Sequence, residues 1–254
     1  MARVLMPLPD RDFDTTEAAV TWSILKAAGH QVVFSTEKGQ VAACDPLLLT
    51  GVVFGQLGAD PGPKEDYQRM LQDPAFQAPS RWSELVATDF DGLMLAGGHA
   101  PGMRQYLGSA VLQAFVAQFW ATQRPVAAIC HGVLLLARSK DAQGRSVLAG
   151  TKTTCLPAYM EYLAWGLSFW KLGRYYRTYP LSVEAELCTL THASDFERGP
   201  ITLGTRGTPS SDVGAFVVRD GRYVSARWPG DAYLFARTFC EILDQAEGDR
   251  TDPA

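Results

Sequence analysis

The chain has 254 residues, 47% of them hydrophobic and 20% charged, with a formal net charge of −4. That length suits one large α/β domain with a sizeable core, and the mild acidity gives no electrostatic basis for binding nucleic acid or an anionic membrane. The five cysteines (Cys44, Cys130, Cys155, Cys188 and Cys240) are odd in number, scattered and without a CxxC pair; this argues against a disulfide framework and a zinc ribbon and for free thiols in a reducing compartment.

Residues 3–8 read as a first strand. Pro7 and Pro9 interrupt this apolar start, which is too short for a signal-peptide core, and no stretch is long enough to span a bilayer. A cytoplasmic location is the expectation. Residues 15–29 read as a helix, with Thr15 or Thr16 as N-cap and Gly29 just past its end. Residues 30–36 form a second apolar run, and this alternation predicts a parallel sheet. From about residue 39 to 82 the prolines Pro46, Pro61, Pro63, Pro74 and Pro79 break up the pattern, with a short helix expected near residues 67–71. A segment this long between strands predicts a cap-like insertion or a dimer element. Residues 90–96 are the next strand, ending in Gly97-Gly98-His99, and residues 111–121 form a helix with Leu112, Phe115, Val116 and Phe119 on one side.

The most telling stretch follows. An apolar β-like run, Pro125-Val-Ala-Ala-Ile, stops at Cys130-His131-Gly132, and a helix-compatible run starts at Val133. This is the sequence form of a nucleophile elbow with sulfur in place of serine oxygen. A cysteine at a helix start is expected to be accessible and to favour its thiolate. The competing reading is a buried core thiol, against which the strand–turn–helix context speaks. Residues 155–180 are rich in tyrosine, tryptophan and phenylalanine. Core or dimer-interface packing is expected there ahead of ligand stacking, which makes a homodimer plausible. Asp220-Gly221 reads as a hairpin turn between two strands, residues 231–243 as the last helix, and residues 246–254 as a frayed polar tail.

Together these pieces resemble the ThiJ/PfpI superfamily. Glu17 early in the first helix, Asp91-Gly-Leu-Met-Leu-Ala-Gly-Gly-His99, Ala128-Ile-Cys130-His131-Gly132, and Arg222-Tyr-Val-Ser-Ala-Arg-Trp-Pro-Gly-Asp231 carry the likeness, which covers most of the chain. The resemblance implies an α/β, flavodoxin-like three-layer sandwich of the class I glutamine-amidotransferase type, with a mostly parallel central sheet, as a single domain over residues 1–245. His99 and the long segment after the second strand look most like the larger branch of glutathione-independent glyoxalases and stress chaperones. Members of that branch convert methylglyoxal to lactate without metal or glutathione, and some are described as deglycases or holdases.

In that likeness Cys130 is the nucleophile, His131 exchanges protons, and Glu17 donates or accepts a proton at the sulfur. Without the likeness, Glu17 would read as dipole compensation in a first helical turn. Gly97 and Gly98, with the amides of Gly132 and Val133 after the elbow, are expected to hold a developing oxyanion. His99 reads as a substrate contact, a metal ligand or a plain turn residue. The four histidines are far apart in sequence, so no metal is expected, and no cofactor is implied. Smaller family members carry a histidine where this chain has Cys155, and larger ones use an acid to orient the elbow histidine. Glu161 is the nearest carboxylate, either a third triad member or an exposed helix charge. The implied activity is a cysteine-dependent enzyme acting on a small reactive carbonyl. Alternatives are a cysteine hydrolase (amidase or peptidase) and a redox-sensing stress chaperone that oxidises Cys130. A synthetase-linked glutaminase role is disfavoured, because His192-Ala-Ser194 lacks the His-x-Glu pair.

Overall fold

The computed structural model describes residues 1–51, 57–202 and 204–251. In chain order its strands are β1 (Arg3–Pro7), β2 (Arg11–Phe13), β3 (Gln31–Thr36), β4 (Ala43–Cys44), β5 (Ser80–Arg81), β6 (Gly92–Leu95), β7 (Val126–Ile129), β8 (Val217–Asp220) and β9 (Tyr223–Ala226). The helices are α1 (Thr15–Ala27), α2 (Pro46–Thr50), α3 (Pro61–Met70), α4 (Pro74–Gln77), α5 (Met103–Leu107), α6 (Ala110–Ala121), α7 (Gly132–Arg138), α8 (Ala158–Leu172), α9 (Val183–Leu190) and α10 (Ala232–Thr251).

Seven strands form one sheet in the order β5-β3-β1-β6-β7-β9-β8, and only the β8–β9 pair is antiparallel. β2 and β4 form a separate two-stranded ribbon. Every residue of β6 and β7 is buried, as expected where helices cover both faces of a parallel sheet. α1 and α10 pack together, with α10 against β7 and β9, while α6 and α7 pack together, with α7 against β6 and β7. The strand order reverses between β1 and β6, and ligands of open α/β sheets bind beyond the carboxyl ends of strands at such a point. Among the described residues no helix is long and apolar enough to cross a membrane.

Four expectations change. The N-cap of α1 is Asp14, not Thr15 or Thr16: its carboxylate accepts the Thr16 and Glu17 N–H groups. Residues 39–82, expected as a cap-like insertion or a dimer element, are partly built into the main core. α3 packs beside α1, Tyr67 meets Phe13, Phe76 meets Phe34, and β5 extends the sheet next to β3; residues 52–56 of this segment lie outside those described. Of the core and dimer-interface packings expected for the aromatic segment, the core one does not hold for α8, where Tyr162, Leu163, Leu167, Phe169 and Trp170 are all exposed. α10 continues past Leu243 to Thr251 where a frayed tail was expected, because Ala246 extends its buried stripe and Glu247 pairs with the Met1 amine. The last three positions of that tail lie outside the described residues. The Asp220–Gly221 turn is as read, with Gly221 at φ +56°.

One buried ion pair ties the end of β9 to its surroundings. Arg227 and Asp231 are both fully buried and bond at 2.9 Å through Nε and again through Nη2. Asp231 also accepts the Phe216 N–H, and Arg227 donates to the Pro200 and Gly214 carbonyls. Removing one partner strands the other as a buried charge. Arg227→Met is therefore expected to lower stability by about 3–5 kcal/mol, measured by urea unfolding. A loss near zero would mean that the pair does not hold this corner.

Candidate active site

Cys130 directly follows β7 and sits at φ +59°, a backbone region that non-glycine residues seldom occupy. Its N–H bonds to the Ala226 carbonyl at 3.0 Å, so the neighbouring strand β9 helps hold this conformation. The backbone turns at once into α7, and Gly132 makes that possible: a β-carbon there would overlap the Leu95 and Ala96 carbonyls. The elbow read from sequence is present.

The sulfur is fully buried, not accessible as expected. Its surroundings are polar. His131 Nδ1 lies 3.6 Å from Sγ, so the imidazole adjacent in sequence does turn toward the thiol. Glu17, on the first turn of α1, is also fully buried, and its carboxyl lies close enough to the thiol for each to shift the other's ionisation. Glu17 Oε2 accepts the Gly97 N–H at 2.7 Å, while Oε1 has no N–H or O–H partner. The His99 ring stands 4.8 Å from that of His131, edge to face, and Tyr176 stacks in the same way on His99 at 5.5 Å.

Burial dominates the electrostatics. It pushes the Glu17 carboxyl well above the usual carboxylate range, and the nearby Asp14 charge adds to this. Burial, then Glu17 and Asp14, pushes the Cys130 thiol up as well. The closed site therefore holds a thiol and a carboxylic acid, not the thiolate expected from the helix start. Burial pushes His131 well below its ordinary value, with the neighbouring His99 and the positive charge of Arg138 adding to it, and pushes His99 down to about 4. Both imidazoles are neutral and can accept a proton.

The glycines act differently from the expectation. The Gly97 amide is engaged by Glu17, so it is not free to hold an oxyanion. Gly97 instead provides room, because a β-carbon there would lie 2.7 Å from His131 N and 2.9 Å from both Cys130 Cβ and Glu17 Oε2. Gly98, at φ +154°, likewise lets the Asp12 carbonyl and Met103 sulfur approach. The amides of Gly132 and Val133 precede the first donor within α7, Leu134 N–H, which bonds His131 O. Glu161 is not brought to His131. It is buried rather than exposed; Oε2 accepts the Val183 N–H at 3.0 Å and Oε1 lies 4.0 Å from Arg177 Nε. Cys155 is buried, with Glu184, Cys188 and Glu161 as its titratable neighbours.

Several contributing residues escaped the sequence reading. Residues 175–179 form a strap tied at four points: Tyr175 donates to Asp45, Thr178 Oγ1 to the His99 carbonyl, Arg104 to the Thr178 carbonyl and Arg138 to Tyr179. The Tyr176 hydroxyl and His99 Nε2 are buried without partners. Asp14 could have been found, since Asp14-Thr-Thr-Glu17 has capping-box spacing; no local signal marks Tyr176. An open cavity of about 600 Å³ lies elsewhere, between Trp120, Arg124, Arg145, Arg222 and Tyr223.

Residues 8–200 match the model of a family described as ThiJ/PfpI family-like. A deglycase of Pyrococcus abyssi is 25% identical over 241 residues, 95% of this chain and 99% of the relative. A glutathione-independent glyoxalase of Schizosaccharomyces pombe is 27% identical over 159 residues, 60% of this chain and 61% of the relative. The chain thus spans only about three fifths of the length of some curated relatives it matches. The crystal structure of glyoxalase III from Candida albicans superposes with a TM-score of 0.68 at 19% identity, covering 94% of this chain and 96% of that one, a likeness of fold.

Asp14 gives the site a pH signature. Burial raises its carboxyl from 3.8 to about 6, against the pull of the Glu17 and Thr16 amides and of Arg206. The folded state thus binds this proton more tightly than the unfolded one. That stabilisation is complete below the unfolded value and is lost as pH rises through about 6. Asp14→Asn keeps a cap acceptor without the charge. It is expected to exceed the parent in stability by on the order of 1–3 kcal/mol at about pH 8 and to match it near pH 4, read from urea unfolding at both. A variant less stable at both values would contradict this.

Proposed function

The chain belongs to the ThiJ/PfpI-like family, and from that premise we propose that it is a cysteine-dependent enzyme that converts methylglyoxal to lactate without glutathione. One observation carries the reading: a cysteine held at φ +59° with an imidazole nitrogen 3.6 Å from its sulfur and a buried carboxyl beside it. The relatives named deglycase and glyoxalase support activity on reactive carbonyls.

The chemistry uses these groups in order. As Sγ adds to the aldehyde carbon, the thiol proton passes to His131 Nδ1 and on to the new alkoxide, giving a hemithioacetal. In this reading the Gly132 and Val133 amides, the donors expected from the sequence, take that oxygen. Glu17, once ionised, removes the hydrogen from this carbon and returns it to the neighbouring one, while the hydroxyl proton passes to the former ketone oxygen, leaving a lactoyl thioester. Water then cleaves the thioester, releasing lactate and restoring the thiol. No net oxidation occurs. The unpartnered Glu17 Oε1, His99 Nε2 and Tyr176 hydroxyl favour a small polar guest, which would supply the hydrogen bonds they lack.

Incubation with methylglyoxal alone should yield lactate, and Cys130→Ser should yield none. Glu17→Gln is expected to slow turnover by roughly 10²-fold or more. Because Glu17 must ionise, the rate should rise with pH through a value above the ordinary carboxylate range. Absence of lactate with the native protein sinks the proposal.

A further inference from the structure

We propose that His99, Cys130 and His131 together bind one zinc ion, and that occupancy blocks the nucleophile. One ligand atom from each residue lies within 4.8 Å of the others. A tetrahedral zinc with Zn–S of about 2.3 Å and Zn–N of about 2.0–2.1 Å has S···N edges of about 3.6 Å and N···N edges of about 3.4 Å. The sulfur and His131 Nδ1 are already 3.6 Å apart. His99 needs to close by at most about 1.4 Å to complete the face. Its Nε2 is buried without a partner, so nothing has to be broken to recruit it.

The donor set also selects the metal. One thiolate and two imidazoles suit zinc and disfavour magnesium or calcium, which take oxygen ligands. Three protein ligands leave a fourth position for water. Binding breaks the Cys130 S–H bond, forms a Zn–S bond and releases the proton to solvent, with no change of oxidation state. The sulfur lone pair that would attack a carbonyl is then engaged by the metal. The inhibition rests on Cys130 being the nucleophile as proposed above; the binding does not. The sequence pointed away from a metal because His99 and the elbow are separated along the chain, and only the sheet's carboxyl edge brings them together.

Cobalt(II) is the probe, since its bond to thiolate absorbs in the near ultraviolet. Titration of metal-free protein in the absence of oxygen should give this band, saturating at one equivalent, with zinc abolishing it by displacement. Cys130→Ser should remove the band, and Cys188→Ser, which alters the most accessible thiol, should keep it. His99→Gln should weaken cobalt binding at least about 10-fold, the low end of what even an outer-shell partner costs. If Cys130→Ser fails to fold, His99→Gln decides, with its thermal midpoint without metal checked against the parent. No band at one equivalent, a band that survives Cys130→Ser, or an unchanged affinity in His99→Gln overturns the site. Full cobalt binding without loss of lactate formation would leave the site standing and overturn the blocking role; lactate formation is measured first in metal-free protein, so a failure there is distinguishable.

Discussion

Three separate parts of the chain meet in the space that a side chain at Gly97 would fill. The first turn of α1 sends in Glu17, the end of β6 contributes the glycine itself, and the elbow after β7 brings Cys130 and the His131 amide. The approach is close enough for the Gly97 amide to fix the carboxyl in place while the opposite side of the residue lies against the elbow. A fully buried acid beside a fully buried thiol is a costly arrangement, and burial shifts both groups toward their neutral forms. The fold retains this pairing because the surrounding backbone bonds fix it: Asp14 caps the helix that carries Glu17, and the Ala226 carbonyl holds the Cys130 amide.

The strained cysteine backbone belongs to the same arrangement. A residue at positive φ is tolerated only where its surroundings over-determine it, and here parallel strands on both sides of β7 do so. On the far side of β9 the Arg227–Asp231 pair locks the turn into α10. The site thus stands on the middle of the sheet, while the irregular segment between α8 and α9 sends Tyr176 onto His99.

Local chemistry was legible in the sequence, and chemistry assembled across long separations was not. The elbow, the first three main strands, the helix ending at Gly29 and the Asp220–Gly221 hairpin each carry their signal within a few residues, and each formed as read. Glu17 was legible only through the family likeness, because a first-turn glutamate has an ordinary explanation. Glu161 misled for the opposite reason. It is near the right place in the chain, but its carboxylate caps the start of α9 and faces Arg177. The burial of the sulfur could not be judged, because it depends on packing between distant parts of the chain; Tyr176, which stands on His99 beside the elbow, looks like any member of an aromatic cluster. The α8 aromatics show the converse, apolar residues that composition assigns to an interior and the fold leaves outside.

The four ties of residues 175–179 reach four different elements: Asp45 at the start of α2, the turn after β6, α5 and α7. Displacing this strap is therefore a collective event, since freeing one tie leaves three in place. Under the activity proposed above, a compact aldehyde would need less of this strap to move than a carbonyl carried on a folded macromolecule.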